Sequence, residues 1–364
     1  MKDGGISLFG FSIFLNEALS QQQKEYVTQM AQAGFKGIFT SLHIPEDDAT
    51  KYRERLSQLG SWCQALNLDL MVDISGNALA KAGFEMDNLS ELTEIGVTGL
   101  RMDYHISNRQ IAHFSQQMKI ALNASTVMQQ DIDELKKANA NFFNLEAWHN
   151  YYPRPETGLA QSWFLEKNQW LKANGFTIQA FVPGDANLRG PLYEGLPTLE
   201  QDRHQHPLAA ALWQKNAAVD LIYIGDGGLN ERTKEQFKSF INNNEILLQV
   251  ENCGTDYFNY ILGDHVNRLD EADAVIRSAD ARFRKIPQIK AQNTVKRTLG
   301  SVTVDNEKYL RYAGEIQLCR KGLPANYKVN VVAQVIAADE DLICQIKGGM
   351  KFKLQPMGEE HEQD

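Results

Sequence analysis

Short apolar segments alternate with amphipathic segments along the first two thirds of the chain, and this alternation constrains the fold more than any other feature. Apolar runs that begin at residues 37, 68 and 99 follow one another at intervals of 31 residues, the length of one strand and one helix. Eight strand–helix units within about 240 residues are typical of a closed parallel (β/α)8 barrel, the TIM barrel. We therefore predict an α/β fold with a TIM barrel over residues 1–245.

The predicted barrel strands are short and rich in Val, Ile, Leu and Phe. They cover Ile6–Phe11, Gly37–Ile44, Leu68–Ile74, Gly99–Tyr104, Met118–Asn123, Phe142–Trp148, Thr177–Val182 and Leu221–Gly225. Three helices are predicted to begin where a Ser or Thr is followed three residues later by Gln, the pattern of a capping box. The capping residues are Ser20, Ser107 and Thr126.

The pattern changes after about residue 245, where hairpin-like spacing replaces the strand–helix alternation. We predict strands at Ile246–Val250, Ser301–Val304, Gly314–Cys319, Lys328–Ala337 and Asp341–Lys347, and one helix at Glu271–Ala281. These elements indicate a second, smaller and mainly β domain over residues 246–357. Residues 358–364 form an acidic tail.

The charge balance and the cysteine pattern limit which partners and which cellular compartment we expect. There are 37 Lys and Arg against 46 Asp and Glu, and no basic block, which argues against nucleic acid as a partner. No apolar run approaches the ~20 residues that a membrane span needs. The four cysteines form no CxxC motif and no signal-peptide cleavage site follows the first apolar run, so we expect a cytoplasmic protein. Homo-oligomerisation is left open.

Polar residues at the carboxyl ends of the predicted strands are the candidate site residues, because the active sites of TIM barrels lie at that end. The segment that follows strand 6 combines aromatic, amide and basic side chains, as a sugar site requires. Arg154 and Arg189 are candidate phosphate ligands, since phosphate often binds in the late loops of such barrels. The predicted substrate-binding residues are His43, Arg101, Asn123, Trp148, His149, Asn150, Tyr152, Arg154 and Arg189.

Carboxylates near the strand ends are the candidate catalytic groups, because two of them at a suitable separation can hydrolyse a glycosidic bond. We predict Glu146 as the general acid, since its apolar neighbours would raise the pKa of its carboxyl group. Asp103, beside Arg101 on the same face of strand 4, would stay ionised and act as nucleophile or base. Asp226 and Asp185 are the reserve candidates.

Other chemistries have weaker support in the residues. His204 and His206 form the only close histidine pair and lie in a long loop, so no metal site is predicted. Lys119 opens strand 5 instead of ending it, which disfavours a Schiff-base mechanism. The absence of a P-loop and of a GxGxxG motif leaves no cofactor to expect.

Several phrases of the sequence together resemble one known family. They are GFSIFLNE, FTSLHIPE, LRMDYH, NLEAWHNYYPRPETGL, VPGDANLRGPLYEGLPTLE and, in the second domain, SVTVDNEKYLRYAGEIQL. The chain thus resembles the 6-phospho-N-acetylmuramidase family over nearly its whole length, and HNYYPRPETG is the most specific phrase.

The resemblance implies a cytosolic glycoside hydrolase of cell-wall recycling with a cyclophilin-like C-terminal domain. Its implied substrate is the disaccharide in which N-acetylmuramic acid 6-phosphate is β-1,4-linked to N-acetylglucosamine. Two alternatives stay open at this point. One is a non-catalytic sugar-phosphate sensor, which the surplus of strand-end carboxylates disfavours. The other is a phosphosugar isomerase or aldolase, which the lack of a strand-end lysine disfavours.

Overall fold

The structure, a computed structural model, describes residues 8–42, 49–74, 78–85, 89–102, 106–283 and 288–358. The chain divides into two compact units, Met1–Lys234 and Glu235–Asp364. A closed barrel of eight strands forms the first unit, and a sheet of seven strands forms the second. The fold class predicted from the alternation of segments is therefore confirmed.

The eight barrel strands are parallel and pair in sequence order, with β8 closing onto β1. They are β1 (Leu8–Ser12), β2 (Gly37–Ser41), β3 (Asp69–Ile74), β4 (Gly99–Met102), β5 (Lys119–Asn123), β6 (Leu145–Trp148), β7 (Thr177–Val182) and β8 (Leu221–Ile224). Most of their residues are buried, as expected for strands covered by helices on one side and packed into the barrel on the other.

Nine helices of the described residues follow or connect these strands. They are α1 (Gln21–Ala33), α2 (Tyr52–Leu66), α3 (Ala78–Lys81), α4 (Leu89–Glu94), α5 (Asn108–Phe114), α6 (Gln129–Lys137), α7 (Gln161–Ala173), α8 (Pro207–Asn216) and α9 (Glu231–Asn243). Nowhere in the described part of the chain is a helix long and apolar enough to cross a membrane.

Two of the three predicted capping boxes are confirmed. The backbone N–H of Gln23 donates to Ser20 at 3.2 Å, and that of Ser20 donates to the Gln23 side chain at 2.9 Å. Ser107 caps α5 in the same way. The prediction at Thr126 is wrong, because α6 begins at Gln129 and the Met128 N–H donates to the side chain of Asp131 at 2.8 Å.

The second unit is mainly β, as predicted. Its strands are β9 (Glu245–Asn252), β10 (Gly263–Val266), β11 (Val275–Arg277), β12 (Ser301–Asp305), β13 (Ile316–Cys319), β14 (Val329–Val335) and β15 (Lys351–Pro356), with two short helices, α10 (Phe258–Ile261) and α11 (Glu340–Ile343). The sheet order is β10-β15-β9-β14-β12-β13-β11. A bridge between Asn267 and Ser278 lies next to the two edge strands, so the sheet is nearly closed on itself.

Two predictions for this unit are wrong. Glu271–Ala281 is not a helix, because Val275–Arg277 pairs with β13 as strand β11, and tertiary pairing outweighs local helix propensity. Asp341–Lys347 is not a strand but begins within α11. The buried Asp339 before it accepts hydrogen bonds from Gln236 and from the backbone of Gln249 at 2.9 and 2.8 Å, which fixes this turn.

An aromatic layer, made of Phe39, Trp148, Phe181 and Tyr223, fills the middle of the barrel. The ring centroids of Phe39 and Phe181 are 5.2 Å apart, and those of Trp148 and Tyr223 are 5.0 Å apart. All four side chains are buried and form one cluster with Met71. Because side chains alternate between the two faces of a strand, the residues two positions farther along reach the mouth of the barrel.

The aromatic layer requires a glycine opposite Tyr223. A Cβ atom at Gly37 would lie 2.0 Å from the Tyr223 hydroxyl oxygen and 2.9 Å from its Cζ. We expect Gly37→Ala to lower the free energy of unfolding by about 1–3 kcal/mol through overpacking. Denaturation followed by tryptophan fluorescence tests this. Tyr223→Phe in the Gly37→Ala background should restore part of the loss, and a Gly37→Ala variant as stable as the parent protein would contradict the interpretation.

Candidate active site

A buried ion pair stands at the carboxyl ends of β3 and β4. Nη1 of Arg101 donates to Oδ1 of Asp73 at 2.7 Å, and the Ser41 hydroxyl donates to Oδ2 at 3.0 Å. Arg101 also donates through Nη2 to the amide oxygen of Asn150. The side chains of Arg101 and Asp73 are only 6% and 11% exposed, so their hydrogen bonds hold both charged groups in one geometry.

Tyr151 extends this cluster towards the loop that follows β7. Its ring packs edge-on against Phe39 and Phe181, with centroid distances of 6.2 and 5.2 Å. Nη1 of Arg189 lies 3.3 Å from the Tyr151 hydroxyl oxygen and donates to it. Burial raises the pKa of Tyr151, Asp73 adds to this, and Arg189 and Arg101 oppose it. One phenol therefore lies within electrostatic range of two guanidinium groups and a carboxylate.

Arg189, at the mouth of the barrel, contacts a tyrosine hydroxyl and a phenylalanine ring instead of a carboxylate. Its guanidinium group lies 3.8 Å from the centroid of the Phe14 ring. Arg189 donates to the Tyr151 hydroxyl and forms no ion pair with a described acidic side chain, although its charge lowers the pKa of the nearby Asp226 carboxyl group. Such a group can bind an anionic ligand without first breaking an ion pair.

Asp226 holds the loop that carries Arg189. Its Oδ2 accepts the backbone N–H groups of Gly184 and Leu196, both at 2.9 Å, and its Oδ1 accepts the Arg189 N–H at 3.1 Å. Burial raises the pKa of the Asp226 carboxyl group, and the three backbone donors oppose that rise. The structure thus gives this reserve candidate a role in positioning the loop.

A second anchor, formed by Arg203 and Glu200, organises the segment that follows β6. Nε and Nη2 of Arg203 each donate to Glu200 at 2.7 Å, and Nη2 also donates to the carbonyl of Tyr152 at 3.0 Å. Glu200 accepts the backbone N–H groups of Glu156 and Gly158 at 2.8 and 2.7 Å. One ion pair therefore connects the chain around residue 155 to the chain around residue 200.

Glu146 does not lie at the mouth, contrary to the sequence-based expectation. Strand β6 begins at Leu145, and Glu146 pairs in register with Thr177, the first residue of β7. Its carboxylate accepts a hydrogen bond from Nε1 of Trp148 at 2.6 Å and shares a cavity of about 20 Å3 with Lys119 at the amino end of the barrel. Burial raises the pKa of Glu146, as predicted, but the aromatic layer separates it from Asp73.

Three other predicted residues point away from the mouth or serve its framework. His149 is fully buried behind β6, where its Nε2 lies 2.8 Å from Oδ1 of Asn168 on α7. Burial lowers the pKa of His149 to about 4. Trp148 belongs to the aromatic layer, and Asn123 accepts the backbone N–H of Ser125 at 2.9 Å at the end of β5.

The remaining predictions divide between the mouth and the rim. Asn150 joins the Arg101 cluster, as its contact with Nη2 requires. Tyr152 is half-buried, and its backbone N–H donates to Pro197 at 2.9 Å. Arg154 has an exposed side chain. Asp185 is also exposed and accepts hydrogen bonds from the Asn230 backbone at 2.8 Å and the Thr233 hydroxyl at 2.5 Å, which fixes the start of α9.

His43 and Asp103 lie outside the described residues, so their roles stay predictions. Within the described ranges, no group of three or more His, Cys, Asp and Glu side chains could hold a metal ion. Sequence reasoning missed Tyr151, Glu200 and Arg203 as site residues. Tyr151 belongs to the aromatic segment that follows strand 6, so the sequence did offer a signal for it. Nothing in the local sequence distinguishes Glu200 and Arg203 from a solvent-exposed ion pair one helical turn apart.

Comparisons with known proteins cover both units. Residues 9–239 match the family described as 6-phospho-N-acetylmuramidase, N-terminal, and residues 246–355 match 6-phospho-N-acetylmuramidase, C-terminal. A conserved protein of unknown function from Enterococcus faecalis is similar, with 46% identity, a TM-score of 0.91 and 97% of each chain covered. An uncharacterised B. cereus protein shares the fold at 24% identity and a TM-score of 0.72, over 96% of this chain and 99% of its own. Among curated proteins, none matches.

The Arg203–Glu200 ion pair leads to a prediction of how the stability of the protein depends on pH. Hydrogen bonds from Arg203 lower the pKa of Glu200 from its ordinary value of 4.5 to about 2. A lowered pKa means stability that is present above pH 4.5 and lost as the pH falls to 2. Glu200→Gln should therefore lower the free energy of unfolding at pH 7 by about 1–2 kcal/mol, since the carboxylate is partly exposed.

Urea denaturation followed by tryptophan fluorescence measures this effect, because all five tryptophans belong to the barrel unit. The gap between the two proteins should close towards pH 2. The matched control is Glu25→Gln, on the exposed face of α1, which should change the free energy of unfolding by less than about 0.5 kcal/mol. A gap that stays constant between pH 7 and pH 2 would show that the carboxylate charge does not matter.

Proposed function

The chain belongs to the 6-phospho-N-acetylmuramidase family, and we propose that it hydrolyses the β-1,4 bond between N-acetylmuramic acid 6-phosphate and N-acetylglucosamine. We place this reaction in the cytoplasm, in the recycling of cell-wall fragments. The observation that carries the proposal is Arg189 at the barrel mouth, which donates to the Tyr151 hydroxyl and forms no ion pair with a described acidic side chain. A phosphorylated muramic sugar carries a phosphate, an anionic group that suits this guanidinium group.

Arg189 is the proposed phosphate ligand. Its guanidinium group forms no ion pair with a described acidic side chain, and the Asp226 contact with its backbone fixes the position of its loop. Arg101 differs, because Asp73 already balances its charge. Arg101 is therefore better suited to orient Asp73 than to hold a dianion. This assignment favours Arg189 over Arg154, the other candidate from the sequence.

Asp73 is the proposed carboxylate that acts at the anomeric carbon, either as nucleophile or by activating water. Arg101 and Ser41 donate to its two oxygens, which holds it as an acceptor in a fixed orientation. Hydrolysis of a glycosidic bond needs a second carboxyl group that protonates the leaving oxygen. The sequence analysis predicts Asp103 as nucleophile or base, and we now propose it for this second carboxyl group on sequence grounds alone, because strand alternation favours the same face for residues 101 and 103.

The first test compares the phosphorylated disaccharide with its unphosphorylated form. Loss of a charge-assisted contact to phosphate weakens binding by about one to two decades. We expect Arg189→Ala to lower kcat/KM for the phosphorylated substrate by that factor and to leave the slow cleavage of the unphosphorylated one nearly unchanged. Arg154→Ala is the matched control and should change either rate less than about threefold, since its side chain is exposed.

Equal rates for the two disaccharides in the parent protein would contradict the phosphate assignment. Tight binding of the phosphorylated form without any cleavage would instead favour the sugar-phosphate sensor. Product analysis by mass spectrometry separates these outcomes, because hydrolysis adds one water and releases N-acetylglucosamine.

The second test concerns the catalytic carboxylates. Asp73→Asn should lower kcat by at least about 10^3-fold, the scale set by loss of an essential catalytic group, while KM changes little. Glu146→Gln should keep kcat within about tenfold, since the aromatic layer separates Glu146 from the mouth. Both variants are isosteric, and circular dichroism checks that they fold. If Glu146→Gln folds normally but has no activity, Glu146 is the general acid and our assignment is wrong.

A further inference from the structure

A cavity of about 320 Å3 opens beside the Arg189 site and is used by none of the groups assigned above. Its wall comes from the chain after β1, the first turns of α1, and the loops after β7 and β8. All of these segments follow the carboxyl ends of strands, so the cavity lies at the same end of the barrel as Asp73. Ligand pockets run from about 300 to 1,000 Å3, so this cavity lies at the small end of that range, a size that suits a single sugar ring.

The chemistry of the wall is polar and uncharged. Asn16, Gln22, Gln23 and Asn187 contribute side-chain amides, and no Asp, Glu, Lys or Arg lines the cavity. An amide presents a donor pair and an acceptor together, which suits hydroxyl and acetamido groups that also donate and accept. Charges of both signs lie behind this wall: Asp185 adds to the raised pKa of Tyr26, and Nζ of Lys234 lies 5.7 Å from the centroid of the Tyr26 ring.

Phe14 connects the neutral cavity to the cationic site. It lines the cavity, and the Arg189 guanidinium group lies 3.8 Å from the centroid of its ring. A disaccharide with one anionic and one neutral sugar would therefore find a cationic site for the first sugar and, next to it, an uncharged cavity for the second. The bond between the two sugars would lie near the boundary that Phe14 marks.

We propose that this cavity binds the uncharged N-acetylglucosamine unit of the substrate, the leaving sugar, while Arg189 binds the anionic one. The inference rests on the proposed function for the identity of the substrate. It adds that specificity for the leaving sugar resides in the amides of the β1–α1 segment, above all Asn16 and Gln22, whose side chains are exposed to a ligand.

Direct binding tests the cavity without any need for turnover. Free N-acetylglucosamine is added to the full chain and followed by saturation-transfer NMR. The parent protein should bind it in the millimolar range, and Asn16→Ala/Gln22→Ala should weaken the binding about tenfold, as expected for the loss of neutral hydrogen bonds. Gln21→Ala is the matched control, because Gln21 precedes Gln22 on α1 but donates to Glu25 at 3.1 Å and does not line the cavity.

Kinetics then separate this inference from the proposed function. The double variant should raise KM for the phosphorylated disaccharide about tenfold and leave kcat/KM within twofold for an aryl glycoside of the same phosphosugar, which lacks the second sugar. Equal losses on both substrates, or no binding of N-acetylglucosamine by the parent protein, would overturn the inference. If neither substrate is cleaved but N-acetylglucosamine binding depends on Asn16 and Gln22, the hydrolase proposal fails and the sugar cavity stands.

Discussion

The aromatic layer is the constraint on which the rest of the barrel depends. Trp148 and Tyr223 fill the interior so completely that Gly10 and Gly37 must have no side chain where the Tyr223 ring passes. The barrel consequently has two separate polar ends. One end holds Glu146 with Lys119, and the other is open to ligands at the carboxyl ends of the strands. Dense packing between them confines any reaction on a sugar to the second end.

Charged side chains that do not contact the proposed substrate hold the loops of the barrel mouth in place. Arg203 and Glu200 join the segments after β6 and β7, and Asp226 collects three backbone N–H groups from the loop of Arg189. A buried carboxylate needs such donors, because burial without them would favour its neutral form. The carboxylates of Glu200 and Asp226 therefore have a structural role, and the hydrogen bonds of Asp226 fix the loop that carries Arg189. A supported arginine loses less conformational freedom when it binds an anion.

Much of the site could be anticipated from the strand pattern, but the depth of each residue could not. Arg101 and Asn150 were expected at the mouth and contact one another there. Glu146 was misplaced because β6 has only four residues, so that Glu146 pairs with Thr177, the first residue of β7, at the amino end of the barrel. His149 was misplaced because it stands next to Trp148 and so points to the opposite face of the strand.

The order of strands and helices, the change to a β domain and the capping of α1 and α5 were all determined by the sequence, because they follow from the spacing of apolar residues and from hydrogen bonds over three residues. Only the tertiary structure decided which polar groups meet. Asp73 contacts Arg101 because β3 pairs in register with β4, and Asn150 reaches the same guanidinium group from the end of β6. Local sequence carries no record of such contacts, since strand pairing in the barrel brings together side chains whose separation along the chain is unrelated to their distance in space.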